Sequence, residues 1–226
     1  VRQELEEQDL EHDFVDAGTT RINTTVIAEN GEYKINHSGP ETGEGVVEKI
    51  LEKIESREPE KVVISGSLPP GLDYTAVEQI KNSTDADVVV DLHGDTLGNL
   101  EGDYFLAKPN RDELSEATGT EVENAEDAVE ASQKLLERGF ENVLSSLGKD
   151  GALLVNEDEA LYAEGLEADV ADTTGAGDAL LAATLSGLEE GKDRIAALEK
   201  GLAFATLVVE TAGTGTPDIE KMEDYM

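Results

Sequence analysis

VVEKILEKIESREPEKVVIS, residues 46–65, decides the fold class. Its first half sets Val46, Val47, Ile50, Leu51 and Ile54 on one stripe of a 3.6-residue period, and Pro59 bars the helix from continuing. Its last four residues, VVIS (62–65), form a β-branched apolar run without alternation, the pattern of a strand covered on both faces. The same two patterns recur on the carboxyl side. VVVD (88–91), YFLA (104–107) and NVLSSLG (142–148) are three further runs, and AEDAVEASQKLLERG carries a second stripe through Ala125, Val129, Leu135 and Leu136. Strand and helix alternate from about residue 44 onward, which predicts an α/β body with a mostly parallel sheet and helices on both faces. RIAALEKGLAFATLVVE (194–210) is apolar on most faces after its first turn. Its Ala, Gly and Thr predict a buried helix that a second helix or a ligand approaches closely.

Toward the amino terminus the pattern changes. TRINTTVIAENGEYKINHSGP (20–40) has β-branched residues in partial alternation, and Asn30-Gly31 is a strong hairpin signal. Residues 12–39 are therefore expected to form a small antiparallel element projecting from the body. No repeat or low-complexity linker separates the two, so a second independent domain is not expected.

Charge and composition exclude several function classes. The 226 residues hold 17 Lys+Arg against 52 Asp+Glu, a formal net charge of -35. Nucleic acid and anionic membranes both require cationic contacts, so neither is an expected partner. Such a charge opposes the compact state unless salt screens it, and at molar ionic strength the Debye length is about 3 Å. This composition predicts a protein of a salt-rich cytoplasm. There is no cysteine, which removes disulfides, thiolate catalysis and Cys-ligated metals. No apolar run approaches a membrane span and VRQELEEQDLEHD lacks the form of a signal peptide, so a soluble intracellular protein is expected.

The chemistry is concentrated in small-residue turns. In ADTTGAGDALLAATLSGL (171–188), the turn Thr174-Gly175-Ala176-Gly177 opens directly into an apolar helix. Glycines there let several amides converge, and the helix start adds its dipole, so the turn suits a phosphate or a developing anion. Asp178 comes next, in the first turn, where it can accept a proton from an attacking alcohol or simply favour the helix start. SGSLPPG (65–71) follows a strand, as parallel-sheet ligand loops do. KPNRDEL (108–114) offers a cation, Lys108, and two oxygen-bearing groups suited to Mg²⁺, Asn110 and Glu113. SLGKDGALLV (146–155) is another strand-end glycine loop, leading into an expected β-hairpin. His12, His37 and His93 share no metal-ligand spacing and read as surface or loop histidines.

In this order, TRIN (20–23), SGSLPPG, KPNRDEL, SLGKDGALL, DTTGAGDA (172–179) and GTGTPD (213–218) resemble the ribokinase-like (PfkB) carbohydrate kinase family. Within it they resemble the branch of 1-phosphofructokinases and tagatose-6-phosphate kinases. The resemblance implies a three-layer αβα sandwich with a mostly parallel sheet and a small β lid. Residues 1–226 would form one kinase domain, with the lid at 12–39 and a nucleotide-binding body at 44–226. It implies ATP-dependent phosphorylation of a ketohexose phosphate, foremost fructose 1-phosphate giving fructose 1,6-bisphosphate. Tagatose-6-phosphate kinase, 6-phosphofructokinase, a kinase of an unphosphorylated sugar or nucleoside, and an inactive nucleotide-binding fragment are the alternatives.

The residue roles come from the same resemblance. Asp178 resembles the general base, and the amides of Gly175, Ala176 and Gly177 the anion hole. Arg21 resembles a clamp on the substrate's phosphate and Ser67 a substrate-facing serine. Lys108, Asn110, Ser146, Gly148 and Gly151 would line the nucleotide site. Asn110 and Glu113 would organise Mg²⁺ through water, and Asp172 and Thr174 would offer oxygens to a monovalent cation such as K⁺. A homodimer through the β lid is implied for the complete protein. The family pattern begins roughly eighty to one hundred residues earlier than Val1, with a sugar-binding strand and a glycine turn, so part of the substrate pocket is expected to lie outside this sequence.

Overall fold

The computed structural model describes residues 2–28, 31–35, 37, 39–43, 45–211, 217, 221, 222 and 225. The chain divides into two compact units, one of Val1–Glu60 with Leu68–Asp85, the other of Lys61–Ser67 with Ala86–Met226.

The first unit opens with a one-and-a-half-turn helix, α1 (Arg2–Glu7). The expected antiparallel element is a ribbon of β1 (Thr24–Ala28) and β2 (Gly31–Ile35), registered Thr24↔Ile35 through Ala28↔Gly31. Asn30 of the hairpin signal lies outside the described residues. The periodic segment at 46 forms α2 (Val46–Arg57), which buries Val46 and Val47. It packs on α3 (Tyr74–Asn82), whose start is capped by Asp73 accepting from the amide of Thr75. Phe14, Ile22 and Ile35 remain exposed in this unit.

The second unit is built on one six-stranded sheet. Its strands are β3 (Lys61–Ser65), β4 (Asp87–Asp91), β5 (Tyr104–Ala107), β6 (Phe140–Ser146), β7 (Gly151–Val155) and β8 (Ala160–Glu164), and they lie side by side in chain order. Pairing is parallel from β3 to β6 and antiparallel from β6 to β8. The parallel part needs crossovers, and helices supply them: α4 (Gly94–Leu97) and, between β5 and β6, α5 (Arg111–Thr118) and α6 (Ala125–Leu136). The antiparallel part needs only the glycine turn at 148–151 and a short loop, as the sequence implied. One departure concerns VVIS. Val63 is 49% exposed, because β3 is an edge strand among the described residues, and an apolar run does not reveal which place in the sheet it takes.

Helices cover both faces, giving three layers. On one, Val89, Leu106, Leu144 and Leu154 meet Leu180, Leu181, Leu198 and Leu202 from α7 (Ala176–Glu189) and α8 (Arg194–Val209). On the other, the alternate residues Val143, Leu153 and Val155 are buried where α5 and α6 pack on β6 and β7. No helix among the described residues is long and apolar enough to cross a membrane.

The α7–α8 contact depends on a missing side chain, as the small residues of 194–210 suggested. A Cβ at Gly201 would lie 2.1 Å from Thr184 Oγ1 and 2.8 Å from the Leu180 carbonyl oxygen, so the helices would have to separate. Gly201→Ala is expected to cost about 1–3 kcal/mol, the usual effect of overpacking a core. Gly43→Ala, where a Cβ would meet nothing within 4 Å, should stay within about 0.5 kcal/mol. Denaturant unfolding of both variants at one fixed high KCl concentration checks this; equal midpoints would disprove the close-packing account.

Candidate active site

Parallel strands deliver their outgoing loops to a single edge of the sheet, so the carboxyl ends of β3 to β6 gather the residues the sequence pointed to. Register aligns Ser65 with Asp91 and Val90 with Ala107, and a parallel bridge joins Asn110 to Ser146. Ser67, Asp91, Lys108, Asn110 and Ser146 thus belong to one rim.

Lys108 occupies its centre. Its backbone amide donates to the carbonyl of Val90 at 2.8 Å, which continues the strand pairing one residue past β5. Its side chain is only 5% exposed, and its ammonium sits 3.0 Å from Asp91 Oδ1. A buried ammonium needs an opposite charge beside it, and Asp91 supplies it. The same ammonium lies 3.1 Å from where a Cβ on Gly177 would stand. Gly177 therefore lets the cation reach the start of α7. The other oxygen of Asp91 accepts from Ser65 Oγ at 3.3 Å.

Asp178, in the first turn of α7, faces this pair. Its carboxyl keeps a side open to solvent, yet its pKa is raised above the ordinary aspartate value. Partial burial is the main cause and the negative charge of Asp91 the next; Lys108 pulls the other way, and a hydrogen bond between the two carboxyls raises it further. Gly175, at φ 82° and ψ -4°, supplies the left-handed residue that turns the chain into α7, and no side chain caps the helix start. Of the three expected amides, that of Ala176 already donates a long 3.4 Å bond to the Thr173 carbonyl.

A cleft of 1230 Å³ runs beside this cluster. Lys108, Asn110, Ser146, Gly148, Gly151, Ala176 and Gly177 line it, all of them expected site residues. Sequence reasoning missed Leu166, Val170, Leu202 and Val209, which give one part of the cleft an apolar wall, and the cations Arg111 and Lys149. Arg111 fastens the glycine turn, donating to Asp150 Oδ2 at 2.6 Å and to the Leu147 carbonyl at 3.3 Å. Lys108, Arg111 and Lys149 stand against Asp112, Glu167, Asp169 and Glu210, so the cleft is close to charge balance in a chain of net charge -35. An anion meets far less repulsion there than elsewhere on the surface.

Asn110 and Glu113 form a reciprocal capping box at the start of α5. Asn110 Oδ1 accepts from the Glu113 amide at 3.0 Å, and Glu113 Oε2 accepts from the Asn110 amide at 2.9 Å. The same spacing that suggested metal ligation is thus also a helix-start signal. Glu113 Oε1 points instead toward His93 Nδ1, 3.7 Å away, and His93 Nε2 is 2.9 Å from Ser67 Oγ. His93 is the exposed loop residue the sequence suggested, and it is also the link between two expected site residues. No group of three or more His, Asp or Glu among the described residues is arranged as a metal cage. Asn110, which lines the cleft, and the Glu113 carboxylate paired with it offer oxygens suited to Mg²⁺, which takes one or two protein carboxylates and completes its shell with phosphate and water.

Asp172 Oδ1 accepts from the Thr174 amide at 2.8 Å, a turn that shapes the approach to Gly175. Arg21 belongs to the first unit, half-buried just before β1. Most of GTGTPD lies outside the described residues.

The raised pKa of Asp178 has a stability consequence. A carboxyl that binds its proton more tightly folded than unfolded loses folding stability as pH rises from the unfolded value through the folded one, and the deficit persists above both. Asp178→Asn removes that deficit. The variant should therefore melt above the wild type at about pH 7.5 and converge on it as pH falls below about 3, where the carboxyl is largely protonated in both states. Thermal melts of the pair across this range test the sign; a variant less stable than the wild type at neutral pH would contradict it.

The pfkB family carbohydrate kinase model matches residues 1–222. A 1-phosphofructokinase of Haloferax volcanii is 45% identical over 221 residues, covering 97% of this chain and 72% of that protein. A D-tagatose-1-phosphate kinase of Bacillus licheniformis is 31% identical, covering 99% of this chain and 75% of its own length. Among solved structures, phosphofructokinase-2 of Escherichia coli in complex with substrates and products superposes with a TM-score of 0.80 at 26% identity, covering 90% of this chain and 69% of that one. The chain belongs to the pfkB family of carbohydrate kinases.

Proposed function

We propose that this chain carries the phosphoryl-transfer machinery of a ketohexose-phosphate kinase, foremost a 1-phosphofructokinase that makes fructose 1,6-bisphosphate from fructose 1-phosphate and ATP. The observation that carries the reading is the 45% identity, over 97% of this chain and 72% of the relative, to the Haloferax 1-phosphofructokinase. The position of Asp178 supports it, since a carboxylate with raised basicity stands at an uncapped helix start beside a buried lysine. A protein that only binds nucleotides needs no carboxylate there beyond the general preference of helix starts for acidic residues.

In this reading the carboxylate of Asp178 accepts the proton of the substrate hydroxyl as its oxygen attacks the γ-phosphorus of ATP. The new O–P bond forms, the bond to the β-γ bridging oxygen breaks, and ADP leaves with that electron pair. Little covalent work falls to the protein, so positioning and charge stabilisation dominate. The Gly175–Gly177 helix start and Lys108 face the charge that spreads over the transferring group. Lys108, Asn110, Ser146, Gly148 and Gly151 border the nucleotide, and Asn110 with Glu113 would organise, through water, the Mg²⁺ that supplies neutralisation of the ATP phosphates when bound. Asp172 and Thr174 are assigned to a monovalent cation. Arg21 is assigned to the phosphate already on the sugar, from the TRIN motif alone; its fork of donors matches phosphate oxygens.

The decisive assay sets fructose 1-phosphate, fructose 6-phosphate, tagatose 6-phosphate and fructose side by side. Fructose 1-phosphate is expected to give the highest kcat/KM. Asp178→Asn should lower kcat by about 10²–10⁴, and Arg21→Ala should raise KM for the sugar phosphate at least about tenfold while sparing ATP. Preference for unphosphorylated fructose, unchanged by Arg21→Ala, would reject the substrate class.

We further infer a cytoplasmic protein of a high-salt cell that pairs through its β ribbon. A two-stranded ribbon cannot bury its apolar residues alone, and Phe14, Ile22 and Ile35 are exposed. Pairing brings together two chains of charge -35 each, so the dimer should hold at molar KCl and dissociate, with loss of activity, as salt is withdrawn. Sedimentation and activity monitored along one KCl series test this. A fully active monomer at every salt concentration would refute it.

A further inference from the structure

The His93 ring stands between side chains from the segments that follow three consecutive parallel strands. It lies just beyond β4 as the residue preceding α4, while Ser67 comes after β3 and Glu113 after β5. One ring nitrogen is within hydrogen-bond distance of Ser67 Oγ, at 2.9 Å. The other faces Glu113 Oε1 at 3.7 Å, too long for a direct hydrogen bond but within reach of a bridging water. Glu113 cannot swing toward the ring freely, because its second oxygen is fixed by the Asn110 amide. The approach of the two elements is also specific. A Cβ at Gly94, the next residue, would lie 2.6 Å from the Glu113 carbonyl oxygen and 2.7 Å from Glu116 Cβ. Glycine at that point lets the start of α4 rest on α5 and brings the ring to Glu113.

We propose that His93 is a positioning residue of the phosphoryl-transfer site, whose ring ties Ser67 to Glu113 and so fixes the sugar-binding serine relative to the metal-bearing end of the site. The inference rests on the kinase reading given above, in which Ser67 faces the sugar. It also sets the polarity of that serine. A carboxylate facing Nδ1 favours the tautomer with the proton on that nitrogen, which leaves Nε2 as an acceptor. Ser67 then donates its hydroxyl proton to the ring and offers the substrate lone pairs. Such an oxygen accepts from a sugar hydroxyl and repels a phosphate oxygen, so Ser67 reads the sugar's hydroxyl face.

The test uses three substitutions in the active protein. The terminal amide of Gln reaches the position of His Nε2, whereas that of Asn reaches only that of Nδ1. His93→Ala is expected to raise KM for the sugar phosphate about tenfold, the worth of one positioned hydrogen bond. KM for ATP should stay within about twofold, and the melting temperature should be unchanged, because the side chain is 61% exposed. His93→Gln should recover most of the sugar-phosphate KM, and His93→Asn should not. A His93→Ala enzyme with unaltered sugar-phosphate KM overturns the proposal, as does an equal rise in both KM values or a Gln variant no better than Ala. A wild type that phosphorylates none of the ketohexose phosphates would instead reject the kinase reading itself, so the two failures are distinct.

Discussion

The ion pair between Lys108 and Asp91 is the constraint around which the second unit is arranged. An ammonium at 5% exposure requires a carboxylate beside it, and Asp91 meets that need from the end of the neighbouring strand. Breaking such a pair typically costs about 3–5 kcal/mol, because the surviving charge stays buried and uncompensated. The pair in turn dictates residue choice on α7. Gly177 must lack a side chain for the ammonium to reach the helix start, and Asp178 one residue on meets both partners. Asp91 makes that carboxyl more basic and Lys108 limits how far the effect goes. One buried contact thereby sets the charge and the clearance of the site and adjusts a proton affinity that partial burial raises first.

The same balance explains how an extremely acidic chain can present a place for an anion. Acidity is spread over solvated helix faces, as in α2 and α6, where the carboxylates cost little when screened. Two of the three cations around the cleft are held in place: Lys108 by Asp91, and Arg111 by Asp150 and two backbone carbonyls. Fixing them keeps the basic groups from pairing with the surplus carboxylates elsewhere.

Much of this was legible in the sequence, for identifiable reasons. YFLA was placed to the residue, because a β-branched or aromatic run bounded by polar turns has few other uses. The helix at 194–210 was legible as buried from its small residues, and Gly201 against Thr184 is the contact they serve. Strand order was not legible, so the edge position of β3 could not be read from VVIS. Asn110 and Glu113 illustrate an ambiguity that spacing cannot lift, since N-x-x-E is both a metal pattern and a capping box. Asp91 and His93 were missed as site residues. Asp91 did carry a signal, a lone acid closing an apolar run at the carboxyl end of a parallel strand. His93 carried none, because its partners are 26 residues before it and 20 after it in the chain; only register brings them together.

The sheet of the second unit has a property that concerns its history rather than its chemistry. Its strands lie side by side in the order in which they occur along the chain. Among the described strands of this sheet, each of β4 to β8 pairs with one already synthesised, so none of them waits for a distant segment to arrive. Each loop closure is consequently modest, and its entropy cost is offset pair by pair. During synthesis the sheet can grow from β3 toward β8, one strand at a time along the same edge. The hairpin of β7 and β8 then extends the sheet at that edge, and α7 and α8 cover one of its apolar faces. For a protein whose like charges resist collapse, assembling by successive short-range additions keeps aggregation-prone intermediates few.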